Sequence, residues 1–436
     1  MPPPRKDYPT RATAQATEVW PGVYRLKAPF NRDLNTWIKE GDDGRFRYHF
    51  DFDKAYGSKA WYLPKERLDS LKEQVNAFGW QVDVVPMPCL EVTPAEPKSK
   101  IHLTPWQSRG LERLLKDRNL LAQWITGAGK SRLAIEAHNA IEAAHTICKT
   151  IVIAPKAVTK TWTDEQLPKW LQPKGEEADF DRVWTLAPGR KLMLKEGRGK
   201  DSTEKLRPQP DVLVVSWDSL HKIPNQWSFD LIVFDEMHLG LHAGAARSKA
   251  AKTLRTQNPH AVALGLTATP TSTSLTDLHS QIDILCPHRW GSKGKWWRRY
   301  FEEVPAYEQY TKPGSLRPHR VDELLAQLST VCDYVGHEDV GDALPPVSWH
   351  EVTLNSPEGQ SRVGPPESLS SWRSEQQSLY KVRVSAFLDS MAADFRQSDN
   401  SGNIAIVCYH RIVASYLAEK LAPLHRNGIN ICHIDG

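Results

Sequence analysis

An α/β fold built on a doubly wound parallel sheet is predicted by three observations. Continuous apolar runs read as strands: LLAQWI (120–125), TIVIAP (150–155), RVWTLA (182–187), DVLVVSW (211–217), LIVFDE (231–236) and AVALGLTA (261–268). Helical patterns alternate with these runs, and strands apolar on both faces belong in a sheet covered by helices on both sides. The first run breaks at Thr126-Gly127-Ala128-Gly129 and restarts as a helix at Lys130, a strand–glycine turn–helix unit. Ligands of such sheets sit outside the carboxyl ends of the strands. The chemical motifs below all fall there.

The totals bound the alternatives. A chain of 436 residues, 40% hydrophobic and 25% charged, suits a globular protein of two or three domains. A net charge of +4 permits a nucleic-acid partner without demanding one. The six cysteines are scattered, with no metal-ligand spacing, and read as free thiols of a reducing cytoplasm. The start, MPPPRKDYPT, has no apolar core for a signal peptide, and no run reaches membrane-spanning length, so no membrane partner is expected.

Residues 1–97 read as an N-terminal arm, loose to about residue 18, followed by a small α+β module. In RFRYHFDF (45–52) aromatic and polar residues alternate as in a half-buried strand, and KAWYL (59–63) is its partner. Pro64 opens a helix bearing Leu68, Leu71, Val75 and Phe78, Gly79 closes it, and QVDVVP (81–86) is a last strand. A Pro- and Lys-rich linker (88–100) leads to residues 98–287, the large parallel-sheet domain. Residues 288–400 read as a helical linker or insertion, with helices in WWRRYFEE (296–303), VDELLAQLS (321–329) and 378–395. A strand (403–410), a helix (411–424) and a strand (429–436) then begin a second α/β lobe over 401–436, expected to be incomplete because one βαβ unit cannot cover both faces of its strands.

The glycine turn is the strongest site signal. Glycines let backbone N–H groups approach a polyphosphate, and the helix N-terminus adds favourable charge. Thr126, Gly127, Ala128 and Gly129 would form the cradle, Lys130 would reach the β/γ-phosphates and Ser131 would offer its hydroxyl to Mg²⁺. Trp124 stands where the long form of this pattern has its first Gly; the short form GxGK[ST] is intact. At the end of LIVFDEMH, Asp235 is placed to hold the metal and Glu236 to activate a water. Taken alone, such an acidic strand end is common; downstream of a P-loop it is specific. In LTATP, Thr267 and Thr269 carry hydroxyls suited to sensing a γ-phosphate or binding His238, although the plain alternative is a turn ended by Pro270. Gln107 in LTPWQ offers the donor and acceptor that an adenine edge needs. Lys156, Lys160, Ser216 and Trp217 leave two further strand ends with the chemistry for phosphate contacts and base stacking; solvated loop residues are the alternative. The cluster WGSKGKWWRRY (290–300) reads either as a nucleic-acid surface or as core tryptophans with a solvated charged face.

The order of these motifs resembles the superfamily 2 helicases and translocases, and more narrowly their Swi/Snf-like branch. LTPWQSRGLERLL is similar to that family's adenine-reading motif, TGAGKS to motif I, IVIAPKAVTKTWTDEQLPKW to motif Ia and DVLVVSWDSL to motif Ib. VFDEMH, with Arg247-Ser248-Lys249 after it, resembles motif II, and LGLTATP with the segment to Pro287 resembles motif III. LPPVSWHEVTL (344–354), NIAIVCYHRIVASYLAEKL and ICHIDG resemble the link into a second lobe and motif IV. Met237 stands where the family's DEAH has Ala, and Ala268 where its motif III usually has Gly. Motifs V and VI, which carry the family's completing arginines, have no counterpart before Gly436. NTWIKEGDDGRFRYHFDFDKAYGSKAWYLP is similar to the HARP module of annealing-helicase relatives.

The resemblance implies RecA-like lobes, with lobe 1 over 98–287. It also implies ATP and Mg²⁺ as ligands and a DNA-dependent ATPase working on DNA, duplex rather than single-stranded. Roles carry over to Lys130, Ser131, Asp235 and Glu236 in phosphate, metal and base chemistry, and to His238, Thr267 and Thr269 in coupling. Two other readings stand beside it: a non-catalytic nucleic-acid-binding remnant of a motor, and one half of a split motor whose second lobe is on a separate chain.

Overall fold

The computed structural model describes residues 12–40, 49–53, 58–87, 102–145, 147–172, 182–186, 193–196, 203–240, 246–271, 275, 277–305, 311–340 and 411–421. They fall in two compact units, residues 1–344 and 345–436.

The first unit opens with a five-stranded sheet. β1 (Thr13–Trp20), β2 (Val23–Lys27), β3 (His49–Asp53), β4 (Ser58–Pro64) and β5 (Gln81–Val85) lie in the order β3-β4-β2-β1-β5. β1 and β5 are parallel and the other pairs antiparallel. Helices α1 (Arg32–Glu40) and α2 (Leu68–Ala77) bury Leu34, Ile38, Leu71 and Val75 against it. A single 3₁₀ turn, Lys65–Arg67, separates Pro64 from α2, and Gly79 ends the helix at a φ of +72°, as predicted for a glycine stop. The arm expected over residues 1–18 is corrected in its second half. β1 is paired on both edges, and its Ala14 and Ala16 are fully buried. Alanines alternating with Thr and Gln give a strand no β-branched signature, which is why the pattern is easily missed.

The large sheet follows. After α3 (Pro105–Asp117) come β6 (Asn119–Trp124), α4 (Lys130–His145) and β7 (Thr150–Ala154). The short helices α5 (Thr159–Thr161) and α6 (Leu167–Trp170) flank a π-helical turn, Trp162–Gln166. Strand β8 (Val183–Thr185) precedes a small antiparallel pair, β9 (Met193–Glu196) and β10 (Thr203–Leu206). Then follow β11 (Val212–Ser216), β12 (Leu231–Asp235), α7 (Ala246–Gln257), β13 (Val262–Thr267) and α8 (Asp277–Leu285). Alternate residues of each strand enter different cores. Val152, Val214, Val233 and Leu264 pack with α3 and α4, while Ile151, Leu213, Ile232 and Ala263 pack with α7 and α8. Both sets are apolar, hence the uninterrupted hydrophobic runs.

Residues 288–340 correct the expectation of a helical insertion. α9 (Lys293–Tyr300) stops at Tyr300, and the next residues form an antiparallel hairpin, β14 (Phe301–Pro305) with β15 (Thr311–Leu316). α10 (Val321–Ser329) is as predicted. β16 (Cys332–Val335), followed by the short α11 (His337–Val340), returns to pair parallel with β6. The sheet therefore has seven parallel strands, in the order β16-β6-β13-β12-β7-β11-β8, and the lobe extends past residue 287. Asp333 holds the added strand: its nearly buried carboxylate accepts from Arg109, Arg113 and the Trp124 indole at 2.8–3.3 Å. Four residues with an aspartate in the middle carry too weak a pattern to read as a strand.

In the second unit the described element is α12 (Arg411–Leu421), where a helix is expected over 411–424. The expected helix at 378–395, the strands at 403–410 and 429–436 and the link at 344–354 lie outside the described residues. Among the described residues no helix is long and apolar enough to cross a membrane.

At the N-terminal ends of the large sheet's strands, a polar cluster ties α4 to β7 and β8. Arg182 donates to both oxygens of Glu142 (2.8 and 2.7 Å), and His138 contacts Arg182 and Thr150. Burial alone would push the Glu142 carboxyl up, but hydrogen bonds from His138 and Arg182, with their charge, outweigh it and hold it at about 2. A depressed folded value means that this stabilisation is complete above the usual value of 4.5 and is lost as pH falls towards 2. Glu142→Gln is expected to lower the urea midpoint at neutral pH and to flatten its fall between those two values. Parallel acid branches for the two proteins would contradict this role.

Candidate functional site

The phosphate cradle is built by the sequence break after β6. Gly127 and Gly129 take φ values of +87° and +85°, a region that L side chains rarely enter, and Lys130 begins α4. Thr126 and Gly127 are exposed, Ser131 and Lys130 are half-buried and Ala128 is buried. The Lys130 ammonium folds back onto the Trp124 and Ile125 carbonyls, at 3.0 and 3.2 Å. Burial lowers its pKa, opposed by the charges of Glu236 and then Asp235, which brings the P-loop lysine and the acidic strand end into one electrostatic site.

Behind the turn stands the start of α3. Thr104 and Gln107 form a capping box, in which the Gln107 side-chain oxygen accepts from the Thr104 amide at 3.1 Å. The Gln107 amide nitrogen and the Trp106 indole both donate to the Ala128 carbonyl, at 3.2 and 2.9 Å. Gln107 is 5% exposed. Its place differs from that of an open adenine reader: both ends of its amide are engaged, one by the helix cap and one by the P-loop, so it braces the turn. Trp106 is a brace that sequence reasoning missed, although it is adjacent to Gln107.

Asp235 ends β12 and is 7% exposed. Its Oδ2 accepts from the Trp162 indole at 2.8 Å, its Oδ1 from the Glu236 amide at 3.1 Å and its backbone carbonyl from the Trp217 indole at 2.9 Å. Burial pushes its carboxyl up; the Trp162 bond pulls it down, Glu236 raises it, and the Glu236 amide and Lys130 lower it again. Glu236 sits at a φ of +47°, a strained position for a non-glycine residue, with its side chain more than a third exposed at the sheet edge. His238 lies 3.3 Å from Glu236 Oε2 and 3.3 Å from Thr267 Oγ1, which also accepts from the Thr269 amide at 3.1 Å. The structure thus places the Thr267 hydroxyl beside His238 and His238 beside Glu236, while Thr269 joins through its backbone amide rather than its hydroxyl. Met237, the departure from DEAH, is accommodated across the sheet: a Cβ on Gly265 would lie 2.4 Å from its sulfur.

The expected DNA residues divide. Lys156 and Lys160 are exposed, beyond the end of β7. Trp217 is corrected: it is 2% exposed, stacks on Phe234 at 5.7 Å and is bonded to Asp235, so its ring is not free to stack on a base. Ser216 is likewise buried, at the end of β11. In the 290–300 cluster, Trp296 is 3% exposed and stacks on Trp290, and Arg299 pairs with Glu323 at 2.7 Å, leaving Lys295 and Arg298 exposed.

The donor set suits a small hard cation held jointly with phosphates. Asp235 would contribute carboxylate oxygens and Ser131 a hydroxyl, and Mg²⁺ characteristically takes one or two carboxylates plus substrate phosphate oxygens. Among the described residues no cluster of three or more His, Cys, Asp or Glu is arranged for an all-protein metal cage.

A glycine turn on a helix N-terminus, a lysine and an acidic pair at one edge of a parallel sheet define a P-loop nucleotide-binding lobe. Residues 100–272 match the family model of the type III restriction enzyme res subunit. Over 187 residues the chain is 25% identical to the DNA 3'-5' translocase XPB2 of Sulfurisphaera tokodaii, a match spanning 42% of this chain and 34% of that protein's length. Over this stretch the chain is similar to a DNA translocase, in keeping with the order of its motifs. Similar solved structures include the Sulfolobus solfataricus SWI2/SNF2 ATPase core in complex with dsDNA (19% identity, TM-score 0.43, 57% of this chain and 47% of that one). The UvsW helicase from bacteriophage T4 is another (16% identity, TM-score 0.38, 64% of this chain and 98% of that one).

Gly129 tests the cradle. A Cβ there would meet the Gln107 amide nitrogen at 2.1 Å in an already unfavourable conformation. Gly129→Ala is expected to weaken ADP binding roughly tenfold or more, the equivalent of about 1–3 kcal/mol of strain. Gly294→Ala, where an added Cβ meets nothing within 4 Å, is the control expected to bind as wild type in the same fluorescence titration.

Proposed function

We propose that this chain is an ATP-dependent DNA helicase or translocase of superfamily 2, Swi/Snf-like, coupling ATP hydrolysis to movement along DNA. The observation that carries the reading is that Lys130, opening α4 after the glycine turn, and Asp235 with Glu236, at the end of β12, stand at the carboxyl edge of one parallel sheet. Thr126, Gly127, Ala128 and Gly129 with Lys130 bind the phosphates, and Asp235 with Ser131 holds Mg²⁺. A bound ion would supply charge neutralisation at the phosphates. Glu236 orients the attacking water and takes its proton. His238 links that glutamate to Thr267, and so to the motif III turn.

Lys156 and Lys160 contact DNA phosphates, a mode that gives little sequence preference and strong salt dependence. Duplex is the preferred form, in keeping with the Swi/Snf-like motif order. The completing arginines come from a second lobe, on this chain or on a separate one. The cytoplasm is the proposed compartment, in keeping with free thiols at Cys148, Cys286 and Cys332.

The test is ATP hydrolysis and nucleotide binding by this 436-residue polypeptide without DNA, with single strands and with duplex. Turnover is expected to rise with duplex. Lys130→Ala is expected to abolish nucleotide binding, and Glu236→Gln to keep binding while lowering turnover by roughly 10²–10⁴. Glu236→Gln turning over at the wild-type rate would remove it as the base. DNA binding without turnover would favour the non-catalytic reading.

A further inference from the structure

Two indole N–H groups reach Asp235 from the two segments that follow β7 and β11. Trp162 lies two residues after Lys160 and opens the π-helical turn Trp162–Gln166, whose Leu167 amide returns to the Trp162 carbonyl. Such turns inside α-helices concentrate at functional sites. The indole is 1% exposed and donates to Oδ2 of Asp235 at 2.8 Å. Trp217 opens the 3₁₀ turn Trp217–Lys222 and donates to the carbonyl of the same aspartate at 2.9 Å. The next residue, Asp218, pairs with Arg247 at the start of α7. Asp235 is therefore held at side chain and backbone by segments other than its own strand. A buried indole has one donor, and leaving it unpaired costs about 1–3 kcal/mol. The two indoles thus tie Asp235 to both segments.

We propose that Trp162 is a positioning residue that links the Lys156–Lys160 segment to the Asp235 carboxylate, with Trp217 fixing the backbone beneath it. Occupancy of that segment by a nucleic-acid phosphate then changes how well Asp235 holds Mg²⁺, and Mg²⁺ changes nucleic-acid affinity by the same factor. This rests on the reading of Asp235 as the carboxylate that holds Mg²⁺.

The test titrates Mg²⁺ into the full chain with a fluorescent ADP analogue, with and without a short duplex. In the wild type the duplex is expected to shift the half-saturating Mg²⁺ concentration about fivefold or more. Trp162→Phe keeps the buried ring and removes the donor. It is expected to bind the analogue without metal as the wild type does, to need roughly tenfold more Mg²⁺, and to lose the duplex-dependent shift. A wild-type requirement that duplex leaves unchanged overturns the link without any variant. So does a Trp162→Phe chain with the wild-type requirement and shift. The parent reading fails separately: analogue binding equal in wild type and Lys130→Ala would mean that this is not the phosphate site, and the link would fall with it.

Discussion

The lobe is arranged around the buried carboxylate of Asp235. Removing an anion from water costs several kcal/mol unless neighbours compensate, and here the compensation comes from several elements at once. β12 supplies the position, the Glu236 amide and Trp162 indole donate to the oxygens, and Lys130 contributes positive charge from the facing helix. A parallel sheet makes that convergence possible because all its strands deliver their carboxyl ends, and the loops after them, to one edge. The strain at Glu236 belongs to the same place, since the chain must turn immediately after the aspartate to leave the next carboxylate at the surface.

The strand that carries the P-loop is supported from outside the expected domain. β16 lies along β6, and Asp333 bonds the indole of Trp124, the last residue of that strand. The same aspartate holds Arg109 and Arg113 of α3, the helix whose first turn braces Ala128. The turn is thus fixed on its strand side and its helix side by one connected set of polar contacts.

The N-terminal module docks through aromatic stacking. His288, at a φ of +63°, stacks on Tyr62 at 4.3 Å and lies 5.2 Å from Trp20, with Cys286 in the same cluster. Arg289 pairs with Glu66 at 2.7 Å, and Asn119, the first residue of β6, donates to the Pro21 carbonyl. Strain at a histidine held between two aromatics is maintained by the packing around it. The module therefore touches the P-loop strand at its base.

The residue order by itself determined the parallel sheet, the phosphate turn and the acidic strand end. Each depends on local physics: uninterrupted apolar runs, glycines where φ must be positive, and a carboxylate where a strand stops. The module's helix and its β3–β4 pair were legible for the same reason. Tertiary contact decided the rest. β1 reads as a proline-rich arm because alanines acquire meaning as strand residues only once a sheet covers them. β16 is too short to announce itself and exists because Asp333 finds two arginines and an indole. Trp217 has the chemistry of a base-stacking residue and was turned inward by a carbonyl needing a donor, and Gln107 by a P-loop needing a brace. Burial and partnership are properties of the folded chain, and no residue type carries them in advance.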